Sequence, residues 1–154
     1  MGYKEDNARI IDEAFAKFQA NAEASFRSGL EAVLDKGVEF CLEHHKDTDP
    51  EHPTPHLHHV EEGGYGWILI HNGAEVNRKL FGDNPAFVNE ANEQLNNVRS
   101  KAPNTGWVGI VMASLRESFY FDVLYEFIPM RAAIRDLKSG KDLDYDAIFK
   151  PMNV

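Results

Sequence analysis

Tyr65-Gly66-Trp67-Ile68-Leu69-Ile70-His71-Asn72-Gly73-Ala74-Glu75-Val76-Asn77-Arg78-Lys79-Leu80 is the stretch on which the fold turns. The apolar run Trp67–Ile70 leads into Asn72-Gly73, the dipeptide that best tolerates the two positive φ angles of a type I′ turn, so Tyr65–Ile70 and Ala74–Leu80 read as the arms of a β-hairpin. A second apolar run, Trp107–Ala113, follows Thr105-Gly106. It is nearly continuous in apolar and β-branched residues, the pattern of a strand covered on both faces, and is expected to be the middle of the sheet. Between the two runs, Asp83-Asn84-Pro85 supplies a helix cap with proline in the first turn, and Phe87, Ala91, Leu95 and Val98 follow at helical spacing until about Lys101.

Upstream of the hairpin, from about Asn7 to His45, apolar residues recur at Ile11, Phe15, Phe18, Ala22, Phe26, Leu30, Val33, Leu34, Val38, Cys41 and Leu42. Strides of three and four draw one stripe along a helix. Unbroken, that helix is roughly 55 Å long at about 1.5 Å per residue, more than the width of a domain this size, so part of it must overhang. An overhanging stripe that carries Phe and Ile calls for cover from a neighbouring subunit. The alternative is a break or bend near Gly29 or Gly37, with two shorter helices folded on each other.

Residues 46–55 hold Pro50, Pro53 and Pro55 and read as a loop. Downstream of the second apolar run, Asp122 caps a helix through Val123, Leu124, Phe127, Ile128, Ile134 and Leu137, with Pro129 marking a kink or a start and Ser139-Gly140 the end. The expectation is one α+β domain over residues 1–140: a long N-terminal helix, an antiparallel sheet with a hairpin and a central strand, and two further helices. Residues 141–154, with Leu143, Tyr145, Ile148 and Phe149 among charges, form a docking arm.

The 154 residues, 43% of them hydrophobic, are enough for a core that needs no metal or disulfide staple. Cys41 is the single cysteine and falls on the apolar stripe, which makes it a small buried hydrophobe in a reducing compartment. A net charge of −9, from 25 acidic and 16 basic residues, repels a phosphate backbone and excludes direct sequence-specific nucleic-acid binding; the acidic balance reads as solubility rather than DNA mimicry. No run approaches the roughly 18 to 20 apolar residues of a membrane span, and the polar start Met1–Asp6 lacks the features of an export signal and of a myristoylation site.

The chemistry-bearing residues do not assemble into a recognisable catalytic set. Six of the seven histidines, His44, His45, His52, His56, His58 and His59, lie close together, but a catalytic zinc site wants three ligands in fixed geometry with a partner behind each imidazole, and His-Glu-x-x-His is absent. They read as loop and helix-end histidines, with a His-rich metal-binding protein or metal-dependent enzyme built on His52, His56, His58 and His59 as the alternative. No nucleophile elbow occurs, Gly63-Gly64-Tyr65-Gly66 carries no phosphate-binding Lys-Ser or Lys-Thr, and Glu61-Glu62 point to opposite faces of an extended chain. No enzyme, cofactor or metal is therefore expected. The residues singled out are interface candidates: Phe15, Phe18, Phe26, Trp67, Tyr145, Ile148 and Phe149.

In this order of elements the chain resembles the tail-completion and head–tail joining (neck) proteins of tailed bacteriophages. The likeness runs over roughly residues 10–138. It rests on Thr54-Pro55-His56-Leu57-His58-His59, on Gly64-Tyr65-Gly66-Trp67-Ile68-Leu69-Ile70-His71-Asn72-Gly73-Ala74-Glu75-Val76, on Gly106-Trp107-Val108-Gly109-Ile110-Val111-Met112-Ala113-Ser114-Leu115 and on Tyr120-Phe121-Asp122-Val123-Leu124. Departures are Thr54-Pro55 in place of Thr-Gly, His58 in place of an arginine, extra residues at 60–63, and Ala113-Ser114-Leu115 in place of Ala-Gly-Met. The resemblance implies a virion structural protein, a homo-oligomeric ring between portal and tail. Its partners would be portal, connector or tail proteins, with no catalytic residue to carry over.

Overall fold

The structure is a computed structural model and describes residues 3–46, 64–113 and 129–149. The proline-bearing loop, His52, His56, His58, His59 and the helix cap expected at Asp122 lie outside these residues. Helix α1, Tyr3–Lys46, is one unbroken helix of 44 residues, about 66 Å long at about 1.5 Å per residue. The reading in which this segment folds back as two helices does not hold. Gly29 and Gly37 are places of close approach rather than bends. A Cβ on Gly37 would lie 3.1 Å from a Val111 methyl and 3.3 Å from one of Leu137, and on Gly29 it would lie 2.4 Å from the Phe149 ring.

Three strands follow, β1 (Tyr65–His71), β2 (Ala74–Phe81) and β3 (Trp107–Ala113), in an antiparallel sheet of order β2-β1-β3. The hairpin turn is as the dipeptide predicts, with Asn72 at φ 50° and Gly73 at φ 79°. The middle strand, however, is β1 and not Trp107–Ala113. Both runs are apolar enough for the middle, but β1 is buried along its length except at His71, whereas β3 is only partly buried and exposes Gly109. The cause lies in the connections. A two-residue turn pins β2 to one edge of β1, and helix α2 (Pro85–Arg99) crosses one face of the sheet to deliver β3 to the other edge.

Alternation along β1 then builds two cores from one strand. Tyr65, Trp67 and Leu69 face α1 and pack with Leu34, Val38, Phe40 and Cys41, together with Ala133 of helix α3 (Pro129–Ser139). Ile68 and Ile70 face α2 and pack with Leu95. Helix α2 begins on Asn84, whose side-chain oxygen accepts from the Ala86 N–H at 3.0 Å, with Pro85 in the first turn. A bulge at Val76 shifts the β1–β2 register between Leu69–Asn77 and Ile70–Glu75.

The polar side chains of β2 suit an edge strand, and each face of it is tied to a helix. Towards α1, Asn77 donates to Glu31 at 2.9 Å and Lys79 to Asp35 at 2.9 Å. Asp35 also accepts from the Trp67 indole N–H at 2.6 Å, so the largest core side chain has its polar atom satisfied. Towards α2, Arg78 donates to Asn92 and to both oxygens of Glu75.

The segment expected to be an arm is, from 141 to 149, part of the body. Leu143 packs on the core beside α1, the Tyr145 hydroxyl donates to the Leu137 carbonyl at 2.7 Å, and a single-turn helix α4 (Tyr145–Ile148) starts on the Asp144 carboxylate.

Candidate assembly face

Helix α1 divides sharply between a packed half and a bare half. From Leu34 to Cys41 its inward residues reach zero to 8% exposure, whereas every residue from Glu5 to Asn21 is exposed. Those 17 residues make a rod of about 25 Å. Its helicity does not come from packing on the other described residues. Ala8, Ala14, Ala16, Ala20, Ala22 and Ala24 supply the strongest helix former at low side-chain entropy, and Glu5 and Asp6 sit where the helix dipole favours negative charge. Arg9 and Glu13, 4.0 Å apart and exposed, add at most a few tenths of a kcal/mol.

Along this rod Ile11, Phe15 and Phe18 are 66%, 67% and 45% exposed. Their four-then-three spacing, continued by Ala22, is that of a seam that meets another helix. Isolated exposed apolar residues need no explanation, but a row of them on one face of a helix makes this the candidate surface of the molecule.

The seam runs into an aromatic row at the edge of the sheet. Phe26 meets Trp107 edge-to-face with centroids 5.8 Å apart, and Trp107 stacks on His71 at 4.1 Å with the planes 7° apart. On its other side Phe26 lies 5.8 Å from the Phe149 ring. Three elements distant in sequence thus grip α1 where it leaves the body. The hairpin end is itself latched, because Asn72 donates its backbone N–H to Gly106 O at 2.9 Å and accepts from Gly106 N–H through its side chain at 2.9 Å.

The interface candidates fall into two groups. Phe15 and Phe18 stand clear of the body, Phe26 is 45% exposed at its margin, and Tyr145 is 40% exposed over the last turn of α3. Trp67 is corrected: at 2% exposure, bonded to Asp35, it belongs to the core and offers no surface. Ile148 and Phe149 are half-buried, and Phe149 packs on Phe26 and against Gly29 of its own chain. Two exposed residues escaped the sequence reading, Ile10 at 57% and Ile134 at 43%. Ile134 belongs to the apolar pattern of the downstream helix, but in α3 it is Ala133, Asp136 and Leu137 that turn inward. A register one residue different would have shown it.

Burial pushes the Cys41 thiol up to about 12, so it stays protonated at neutral pH and is no nucleophile. Among the described residues no three metal-ligating side chains converge, and none of their helices is long and apolar enough to cross a membrane. A shallow polar hollow lined by Gly73, Asn96, Arg99 and Asn104 has its one cation, Arg99, 3.1 Å from Glu75. The Arg78 guanidinium, and then Arg99, hold the Glu75 carboxyl below the ordinary range. A depressed acid stabilises the fold above its unfolded value, about 4.3, and loses that contribution as pH falls through the folded value. Glu75→Gln is therefore expected to flatten the acid limb of the stability curve below about pH 4.3, read by thermal melts across pH; an unchanged limb would show that the ion pair has no part in it. No protein-family model, curated protein or solved structure matches this chain.

Proposed function

We propose that this chain is a virion structural protein of a tailed phage, a subunit of the head–tail connector that works by packing against copies of itself and against portal, connector or tail proteins. The observation that carries this reading is the bare half of α1, a helical rod with Ile11, Phe15 and Phe18 in a seam that no described residue of the body covers. The remainder supports it: the one cysteine is inert, Asp35 is bonded to Trp67, and Phe26 packs on Trp107 where the long helix leaves the body. The resemblance to neck and tail-completion proteins supplies the setting, assembly in the host cytoplasm and residence in the particle.

The test is composition of the particle. Mass spectrometry of purified tailed particles is expected to find the chain at a fixed copy number relative to the portal, and removing its gene to leave filled heads without attached tails. Particles that lack the chain, or that assemble fully without it, would contradict the proposal.

A further inference from the structure

We propose that Phe149 is an autoinhibitory plug: carried at the end of α4, it occupies the part of the α1 seam, at Phe26 and Gly29, on which a second copy of this chain would otherwise pack. This rests on the reading of α1 as a self-assembly face and adds its regulation.

The seam does not stop where α1 meets the body. Gly29 stands 18 residues after Ile11 and 11 after Phe18 on one unbroken helix, close to five and three whole turns at about 3.6 residues per turn, so it lies on the same face as both. Phe15, Ala22 and Gly29 are in turn seven residues apart, the spacing of one row in a helix–helix seam. Beyond Ala22 the row therefore runs on to a glycine, where a second helix can come close. Phe149 sits on that spot. Its ring fills the space that a Cβ on Gly29 would take, and it lies 5.8 Å from the Phe26 ring with the planes 38° apart.

The hold on the ring is light. Phe149 is half-buried, no residue of α4 is buried, and Tyr145 at its start is 40% exposed. Leu143 packs on the core and the Tyr145 hydroxyl reaches the Leu137 carbonyl, so α4 keeps its tether when the ring leaves Gly29. Trp107 is edge-on to Phe26 from the other side, so the base of α1 stays gripped as well. With the ring out, Phe26 and the bare backbone of Gly29 join Ile11, Phe15 and Phe18 in one longer row.

Sedimentation equilibrium of the full chain beside Phe149→Ala and Gly29→Ala, with a thermal melt of each, tests this. Phe149→Ala removes the plug, and Gly29→Ala expels it with a methyl group while raising helix propensity. Both variants are expected to self-associate roughly tenfold more tightly than the parent, the size of effect that freeing part of a Phe contact implies, and to lose that gain when Phe15→Glu is added. Association by the parent with no gain in either variant would make Phe149 a strut of the body and overturn the plug while leaving self-assembly standing. Loss of the folded state in both variants would overturn it in the same way. Folded monomers throughout would overturn the plug together with the assembly reading, whereas tighter association in the variants of a chain missing from particles would keep the plug and remove the virion setting.

Discussion

Trp67→Ala is expected to leave a chain largely unfolded at physiological temperature. The indole is 2% exposed at the centre of the α1-facing core, and its N–H reaches Asp35 at 2.6 Å. Truncating a buried Trp to Ala costs about 3–5 kcal/mol in lost transfer and cavity terms. The Asp35 carboxylate also loses a donor; Lys79 still reaches it, which limits that further loss to about 1–2 kcal/mol. Set against a total of about 5–15 kcal/mol for a domain, the change consumes most of the margin. Trp67→Phe keeps the ring and drops the hydrogen bond, so its loss should be less than half as large. Urea denaturation followed by far-UV circular dichroism reads both, and a Trp67→Ala midpoint equal to that of the parent would refute the two-faced role given to β1.

The second large effect leaves the fold alone and removes assembly. Phe15→Glu with Phe18→Glu touches two side chains that are 67% and 45% exposed, so the monomer's melting temperature should hold within a few degrees. Burying a Phe contributes about 1.5–3 kcal/mol, so two lost anchors at one contact weaken association by roughly two to four orders of magnitude. Added negative charge on an acidic rod works in the same direction. Light scattering on the purified variant and a plaque assay with the variant gene read the two consequences. Wild-type assembly by the double variant would show that the seam is idle.

Much of this fold is legible in the residues themselves. Asn72-Gly73 announces the hairpin because only a few residue types accept positive φ at both turn positions, and Asn84-Pro85 announces α2 because a cap oxygen and a missing N–H both suit a helix start. The overhang is legible because an apolar stripe longer than its domain has to leave it. The order of strands is not, since apolar continuity reports cover on both faces and β1 and β3 share it; the deciding facts are the lengths of the connections and the face chosen by α2.

The candidate face divides on the same line. Phe15 and Phe18 are identifiable from spacing, but Trp67 and Trp107 open their apolar runs alike, and only the tertiary packing puts one under α1 and leaves the other at the sheet margin beside Phe26. Phe149 looks free in a charged tail and is claimed by Gly29, a glycine whose sequence context suggests a bend and whose actual use is to make room for a ring. Ile134 is concealed by a register that only the packing of Ala133 and Leu137 on α1 fixes.

The most direct measurement is the mass of the full chain by sedimentation velocity over a rising series of concentrations, beside Phe15→Glu with Phe18→Glu as control. The exposed rod predicts species heavier than the 17.4 kDa monomer that grow with concentration and are lost in the control. A single 17.4 kDa species at every concentration, alike in both proteins, would contradict the claim that the bare half of α1 exists to be covered by another copy.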